Sequence, residues 1–372
     1  MTEGRIQFDT GPEGQPVLFS APERVLRADR PEEVGPTLDR IDAALASGRW
    51  VAGFASYELG YALEPRLEPL MPRDRDIPLI CLGVFGPPAR TAPASGGPLA
   101  AGPLAPGWTE ARHEAAVRRI LDLIGAGDIY QANLTFPVDV GPAGDPWTLD
   151  AALRARQPVS EGAVVDLPGV APLVSRSPEL FFATTGDGRI LTRPMKGTAR
   201  RDPDPAQDRA LATELRHSEK DRAENLMIVD LLRNDLSRVC RPGSVHVPRL
   251  FAVETYATVH QMVSDVTGRL QPGTRLSHLL RALFPCGSVT GTPKIRAMQV
   301  IRDLEDGPRG AYCGAIGWMA PDGASRFNVA IRTLTVAGGR LRLGVGGGIV
   351  ADSTPQREYQ EALWKTRFAI PD

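Results

Sequence analysis

Residues 327–345 read Phe327-Asn-Val-Ala-Ile-Arg-Thr-Leu-Thr-Val336, then Ala337-Gly-Gly339, then Arg340-Leu-Arg-Leu-Gly-Val345. Both flanks are rich in aliphatic and β-branched residues and a glycine pair lies between them, so the stretch predicts a β-hairpin. The rest of the 372-residue chain mixes strand and helix patterns without regular βαβ alternation. That mixture predicts an α+β fold with antiparallel sheets and a large buried core.

The composition changes at residues 86–107, which are rich in proline, glycine and alanine and show no periodicity. Before this connector, residues 1–85 contain two strand patterns, Trp50–Gly60 and Ile77–Phe85. Two strands are too few to hold a core alone, so we expect them to join the main sheet. Residues 108–372 form the main body of the chain.

Three helix starts can be predicted in the main body from capping residues. Thr109 is expected to cap a helix that ends at Gly125, and Ser218 is expected to cap a second one. Thr354 followed by Pro355 is the pattern of a cap and first helical position, so the last helix should begin there.

The bulk properties exclude several classes of protein. The net charge is −1 and the pI is about 6.6, so no global field attracts nucleic acid or an anionic membrane. The chain lacks an apolar run of the ~18 residues that a spanning helix needs, and the first residues do not resemble a signal peptide. Four scattered cysteines without a Cys-x-x-Cys spacing suit free thiols in a reducing cytoplasm.

One lysine lies in a sequence that suits a ligand site. Lys196 is part of Arg193-Pro-Met-Lys-Gly-Thr198, where a short strand pattern is predicted to end in a turn. Gly197 allows the backbone to approach a ligand closely, while Lys196 and Thr198 present an amine and a hydroxyl at the same edge. Taken alone, a lysine is more often a solvated surface charge.

Two pairs of acidic residues have the spacing that places both carboxylates on one helix face. Asp221 and Glu224 form one pair, and Glu358 and Glu361 form the other. A solvated helix face would explain both pairs equally well by itself. Asp221 also has a structural explanation, since it stands three residues after Ser218 and can complete a capping box.

Seven blocks of the sequence carry a family resemblance: Gly127–Thr135, Ser177–Leu180, Pro194–Thr198, Ala223–Asp235, Gly287–Met298, Phe327–Thr333 and Gly346–Ser353. In this order they resemble the chorismate-utilizing enzymes, and within them the aminodeoxychorismate synthase component I branch. The match runs from about Trp108 to Phe368. It implies a two-layered antiparallel β core flanked by helices, with residues 108–372 as the chorismate-binding catalytic domain.

The resemblance gives the acidic pairs a role in metal binding. Chorismate is a dianion, so carboxylates can contact it only through a hard cation, and Mg2+ accepts oxygen ligands and retains waters. The resemblance implies that Glu224 and Glu361 bind Mg2+ directly. It places Asp221 and Glu358 close by or in contact through water.

Lys196 and Glu179 are the catalytic residues that the resemblance implies. Lys196 would attack C2 of chorismate and displace the 4-hydroxyl, after which ammonia adds at C4 and expels the lysine. Anthranilate synthases typically carry alanine at this position. Glu179 would protonate the departing hydroxyl, so we expect burial to raise its pKa. By itself, a glutamate after Pro178 is more often a turn residue.

The substrate's carboxylates and hydroxyl need hydrogen-bond donors. The resemblance implies a bidentate contact from Arg332, a hydroxyl from Tyr312 and backbone N–H groups from the glycine run. Gln261 stands where many relatives have histidine; it can bond a ring hydroxyl but cannot transfer a proton near pH 7. The predicted binding set is Gly197, Thr198, Gln261, Ser288, Tyr312, Arg332, Gly346, Gly347 and Gly348.

The expected activity is conversion of chorismate and ammonia to 4-amino-4-deoxychorismate, which leads to 4-aminobenzoate and folate. The chain lacks a Gly-x-Cys-x-Gly nucleophile motif, so ammonia should come from a separate glutamine amidotransferase subunit in a transient heterodimer. Two alternatives stay open. One is an anthranilate, isochorismate or salicylate synthase, and the other is a catalytically idle regulatory subunit of a glutaminase.

Overall fold

Two antiparallel sheets pack face to face in the computed structural model, which describes residues 4–99, 102–256 and 259–370. The strands in chain order are β1 Arg5–Phe8, β2 Val17–Ser20, β3 Arg24–Ala28, β4 Trp50–Ala55, β5 Ile80–Phe85, β6 Ala89–Arg90, β7 Ala105–Pro106, β8 Gln131–Pro142, β9 Glu161–Asp166, β10 Leu173–Ser177, β11 Leu180–Thr184, β12 Arg189–Thr192, β13 Met195–Arg200, β14 His246–Thr255, β15 Val259–Arg269, β16 Gly291–Thr292, β17 Ala315–Met319, β18 Ser325–Val329, β19 Thr333–Ala337 and β20 Arg340–Ile349.

Helices cover the outer sides of the sheets. They are α1 Pro31–Ala46, α2 Leu59–Leu63, α3 Glu110–Gly125, α4 Pro146–Arg156, α5 Pro205–His217, α6 Glu219–Ser237, α7 Leu276–Leu283, α8 Lys294–Leu304 and α9 Pro355–Trp364. The predicted starts are confirmed, because Thr109, Ser218 and Thr354 are the N-caps of α3, α6 and α9. Over residues 4–99, 102–256 and 259–370, none of the helices combines the length and apolar character that crossing a bilayer requires.

The first sheet has the order β16-β8-β20-β19-β10-β9-β1-β2-β6, with β7 paired to β8. The second sheet has the order β13-β15-β12-β11-β18-β17-β4-β5-β3, with β14 paired to β15. Strands from residues 1–85 therefore occur in both sheets. The antiparallel α+β fold is confirmed, while the division of the chain into domains stays a prediction.

A buried layer joins the inner faces of the two sheets. Phe19 of the first sheet and Phe85 of the second have ring centroids 5.3 Å apart, and Phe8 meets Phe19 edge-on at 5.9 Å. Such aromatic pairs contribute about 0.5–1.5 kcal/mol beyond the area that they bury. Separate clusters fill the outer faces, where α1, α6 and α7 pack on the second sheet and α3, α8 and α9 on the first.

The hairpin prediction is correct at its turn and wrong in its first strand. Gly338 and Gly339 both have positive φ, 57° and 72°, as a two-residue type I′ turn requires, and Ala337 pairs with Arg340. The predicted strand Phe327–Val336 is divided instead. Its first half belongs to β18 in the second sheet and its second half to β19 in the first. The chain crosses between the sheets at Arg332, whose φ is 48°.

Candidate active site

A cavity of about 670 Å³ receives residues from both sheets and from helices α6 and α9. It lies beside the point where the chain crosses between the sheets. Every site residue predicted from the sequence lines this cavity: Glu179, Lys196, Gly197, Thr198, Asp221, Glu224, Gln261, Ser288, Tyr312, Arg332, Gly346, Gly347, Gly348, Glu358 and Glu361. The structure thus brings the whole set together, and the role of each residue stays a prediction.

Lys196 lies in a β-bulge rather than in the predicted turn. Met195 pairs with Val263 and Thr198 pairs with Gln261. Two residues of β13 therefore lie between these pairs where β15 has only one, which defines a bulge. Gly197 has a φ of 85°, which a glycine adopts without strain. A Cβ placed on Gly348 of the first sheet would lie 3.2 Å from Lys196 Nζ. The amine therefore reaches from the second sheet to the first.

Glu179 is buried at the start of β11, with 5% of its surface exposed. Its backbone N–H donates to Ser177 Oγ at 3.2 Å, and that hydroxyl donates to Val329 O at 2.6 Å. Burial raises the pKa of Glu179 to about 7, opposed by a hydrogen bond with Ser288 and by the positive charge of Lys196. The expected rise is confirmed. Within the described residues, its Oε1 has no hydrogen-bond partner.

The acidic pairs come from two different helices. Burial raises the pKa of Glu224 on α6, and the negative charges of Asp221 and Glu358 add to that rise. Burial also raises the pKa of Glu358 on α9, whereas Lys365 lowers the pKa of Glu361. The carboxylates of the two helices are thus close enough to repel one another, and added positive charge would stabilise them.

Asp221 is not used as the capping residue that the spacing suggested. Ser218 Oγ accepts from Asp221 N at 3.2 Å, so the first half of the capping box is present. The Ser218 N–H, however, donates to Leu215 O at 3.3 Å. The Asp221 carboxylate lies instead against the bulge, where a Cβ on Gly197 would be 2.9 Å from Asp221 Oδ1.

The residues predicted to bind the substrate carboxylates line the same cavity, where Gly347 lies beside Glu358 and Glu361. Arg332 is half-buried, burial lowers its pKa, and within the described residues no carboxylate pairs with it. Beyond Leu343, β20 pairs only with β8, so the other edge of Gly346 to Gly348 faces the cavity. An unpaired guanidinium beside an open strand edge suits a carboxylate ligand.

Two cavity residues, Lys365 and Lys220, and one buried neighbour of the cavity, Gln131, were missed in the sequence. Lys365 Nζ lies 2.9 Å from Glu361 and donates to Gly346 O at 2.8 Å, and Lys220 Nζ is 4.0 Å from Glu224. Gln131 is fully buried with both amide atoms unpartnered among the described residues, and its Nε2 would be 2.7 Å from a Cβ on Gly348. The scarcity of lysine was a usable signal, because the chain has only four lysines among 43 lysines and arginines.

The carboxylates of the cavity suit Mg2+, which needs few protein ligands, more than a metal whose ligands all come from the protein. Within residues 4–99, 102–256 and 259–370, no group of three or more His, Cys, Asp or Glu side chains is placed to hold a metal ion. Mg2+ usually binds one or two carboxylates and completes its shell with waters and substrate oxygens. Oxygen donors that repel one another across a cavity, such as Glu224 and Glu358, fit that pattern.

Comparison with known proteins gives a consistent picture. The family model described as chorismate binding enzyme matches residues 89–371. An aminodeoxychorismate synthase of Streptomyces pristinaespiralis is 47% identical over 259 residues, which are 70% of this chain and 36% of that protein. Aminodeoxychorismate synthase component 1 of Escherichia coli (strain K12) is 44% identical over 257 residues, 69% of this chain and 56% of that protein. The chain thus matches less than two thirds of either relative's length.

A solved structure agrees over the whole fold. Anthranilate synthase component I from Streptococcus pneumoniae TIGR4 superposes with a TM-score of 0.80 at 26% identity. The alignment covers 100% of this chain and 91% of that one. The two-layered antiparallel core is therefore shared with that anthranilate synthase component I.

Proposed function

Because the chain belongs to the family of chorismate binding enzymes, we propose that it is an aminodeoxychorismate synthase, component I. Chorismate and ammonia would give 4-amino-4-deoxychorismate, a precursor of 4-aminobenzoate and folate. One observation carries the proposal: the Lys196 amine and the buried Glu179 carboxyl share a cavity, and the positive charge of Lys196 opposes the rise in the pKa of Glu179. The relatives with 47% and 44% identity bear the same name.

The two residues would divide the chemistry between them. The Lys196 amine, once deprotonated, forms a bond to C2 of the substrate, while the bond from C4 to its hydroxyl breaks. Glu179 supplies the proton, so that the hydroxyl leaves as water. Ammonia then forms a bond to C4 while the bond between C2 and Lys196 breaks and the ring double bonds shift back. The new C4 ammonium group returns a proton to Glu179, so that both residues are regenerated. A carboxyl with a pKa of about 7 holds a proton in a useful fraction of molecules at neutral pH.

The remaining cavity residues would bind the substrate. Arg332, which lacks a carboxylate partner among the described residues, and the Tyr312 hydroxyl would hold a substrate carboxylate beside the open edge of β20. Glu224 and Glu361, with Asp221 and Glu358 beside them, would hold Mg2+. When bound, this ion would neutralise the acidic residues and accept a substrate oxygen.

The direct test is product identification. Purified protein is incubated with chorismate, MgCl2 and ammonium chloride, and the products are separated by chromatography and weighed by mass spectrometry. We expect 4-amino-4-deoxychorismate, formed faster as the pH rises and more ammonia is unprotonated. Anthranilate, isochorismate or salicylate as the main product would contradict the proposal, and so would the absence of any turnover.

A partner that supplies ammonia is part of the proposal. At neutral pH ammonia is mostly ammonium, which is not a nucleophile, so efficient amination needs a protected local source. The E. coli relative is named as component 1, which fits a second component with glutaminase activity. Glutamine should therefore not replace ammonium with this chain alone. Glutamine-dependent synthesis without a second protein would contradict this part.

We also propose the cytoplasm as the location. Cys81, Cys240, Cys286 and Cys313 are buried free thiols, which suits a reducing compartment.

A further inference from the structure

We infer that Gln261 is a positioning residue that fixes the backbone carrying Lys196, rather than a ligand for the substrate. The inference rests on the proposed function of Lys196 as nucleophile. The first observation is the bulge in β13. Between the pairs Met195↔Val263 and Thr198↔Gln261, β13 has one residue more than β15. A bulge disrupts the ladder of backbone hydrogen bonds locally, so its conformation needs other contacts.

The side chain of Gln261 supplies those contacts. Its Nε2 donates to Gly197 O at 2.7 Å, and its Oε1 accepts from Thr198 Oγ1 at 2.9 Å. The single donor group and the single acceptor atom of the amide are thus both directed at the two residues that follow Lys196. One N–H and one acceptor lone pair of the amide remain, but these two contacts fix the orientation of the amide on the bulge, whereas the role predicted from the sequence was a bond to a substrate hydroxyl.

Helix α6 closes the bulge from the other side. A Cβ on Gly197 would lie 2.9 Å from both Cβ and Oδ1 of Asp221, closer than real Cβ atoms approach their neighbours. Gly197 is therefore held between Gln261 on one side and Asp221 on the other. With φ at 85°, the backbone turns in a way that a regular strand does not, and this re-aims the Lys196 side chain into the cavity.

Placement of the amine decides the rate of a nucleophilic attack. The reacting atoms must come to about 3–3.5 Å in the correct orientation, and a misplacement of about 1 Å can cost on the order of 100-fold. A bulge without its contacts would let Lys196 sample other directions. Histidine at position 261 would not offer the same two contacts, because its ring nitrogens point away from each other, whereas both amide atoms are bonded to one carbon.

The test is the variant Gln261→Met, which keeps the length of the side chain and removes both hydrogen bonds without adding charge. We expect kcat with ammonium, and the rate of adduct formation at Lys196, to fall on the order of 10- to 100-fold. KM for chorismate should change by less than about threefold, since the substrate contacts stay. The matched control is Gln271→Met, because Gln271 Nε2 likewise donates to a backbone carbonyl, that of Cys240, outside the cavity. The control should keep both constants.

Thr198 gives a second way to remove one bond. Thr198→Val loses the hydroxyl that donates to Gln261 and should lower kcat, whereas Thr198→Ser keeps the donor and should restore it. If kcat of Gln261→Met stays within about twofold of the wild type, the inference is overturned. It is also overturned if the main effect is a rise in KM, because that is the result expected of a substrate ligand.

Hydrogen–deuterium exchange separates this inference from the proposed function. Without any substrate, peptides covering residues 195–200 should exchange faster in Gln261→Met than in the wild type, and not faster in Gln271→Met. If the wild type has no activity on chorismate, the proposed function fails whatever the exchange shows. If the wild type is active and the exchange of this segment is unchanged in Gln261→Met, only the positioning role fails.

Discussion

Helix α6 separates two cavities of different chemistry. One face carries Asp221 and Glu224 into the active-site cavity of about 670 Å³. The other lines a groove of about 1100 Å³, in which Leu226 and Met227 stand near Lys294 and Arg296. The groove is larger, but the two cations of α8 that line it are paired: Lys294 lies 2.6 Å from Asp235, and Arg296 lies 2.7 Å from Asp128.

The smaller cavity keeps polar groups that the protein itself does not satisfy. Within the described residues, Arg332 has no carboxylate partner and Glu179 Oε1 has no hydrogen-bond partner. Buried polar groups without partners are costly, so a protein retains them where a ligand completes the set. The comparison indicates that unpaired charged and polar groups, and not volume, mark the candidate active site. Four experiments test this difference between the two cavities.

The largest effect on turnover should come from substituting Lys196 in the smaller cavity, with a substitution of Lys294 in the groove as the control. Wild-type protein given chorismate and Mg2+ without ammonia should form a covalent adduct at Lys196, visible in the intact mass. Lys196→Ala should form none, and turnover should fall by about three orders of magnitude or more, the scale of losing a covalent nucleophile. Lys294→Arg is the control, because arginine can still pair with Asp235 in the groove. Unchanged turnover in Lys196→Ala would rule out the covalent route.

The next effect concerns the acid. Glu179→Gln should lower kcat by about 10²–10³-fold, since glutamine cannot donate the proton. In the wild type the acid form is lost as pH rises through about 7, so the chemical step should slow above that pH when unprotonated ammonia is held constant. The variant should lack this dependence. The pKa of Glu179 is raised in the folded state, so its ionisation lowers the free energy of unfolding as the pH rises from about 4.5 to 7. The variant lacks this ionisable group and should therefore be no less stable than the wild type at pH 8.

Glu58 is the matched control for the acid. Burial raises its pKa to about 7 as well, but its oxygens accept the backbone N–H groups of Arg309 and Gly310. Glu58→Gln should alter stability and leave the pH dependence of the chemical step in place. A pH profile that follows Glu58 rather than Glu179 would contradict the assignment.

A smaller effect is expected from the acidic residues of the active site. EDTA should abolish turnover and Mg2+ restore it, and Glu361→Gln or Glu224→Gln should weaken Mg2+ binding on the order of 10- to 100-fold, as measured by calorimetry. Asp230→Asn on the groove face of α6 is the control, because Asp230 pairs with Arg233 at the surface. Tighter chorismate binding in the glutamine variants without metal would mean that the carboxylates meet the substrate directly.

The smallest effect should come from the groove itself. Leu226 has 43% of its surface exposed, so Leu226→Ser should change the free energy of unfolding by less than about 0.5 kcal/mol. Turnover with ammonium should stay within about twofold of the wild type, since no group that the chemistry needs lies there. A larger loss would show that the groove takes part in the reaction and would contradict the distinction between the two cavities.

The sequence predicted the content of the site better than its geometry. Lys196, Glu179 and the two acidic pairs could be found because their motifs are local, and the caps of α3, α6 and α9 depend on adjacent residues. The bulge at Gly197 could not be predicted, because it is defined only by the register of β13 against β15. Local patterns carry no information about that pairing.

The other misses have the same cause. Residues 327–336 look like one strand, since nothing in the local pattern marks the crossing at Arg332 between the two sheets. The predicted second hairpin strand ended at Val345, but glycines 346–348 continue β20 because β8 pairs with them residue by residue. Gln131 became recognisable only when folding placed its unpartnered amide beside Gly348.

The position of β4 has a consequence for how this protein is made. In the second sheet β4 lies between β5 and β17, and Gly53 pairs with Gly317. During synthesis β5 can pair with one edge of β4 early, but the other edge must wait for most of the chain to leave the ribosome before β17 exists. Closing such long loops is slow, and exposed strand edges attract other chains meanwhile. Folding should finish only after translation passes Met319, and one edge of β4 stays unpaired until then.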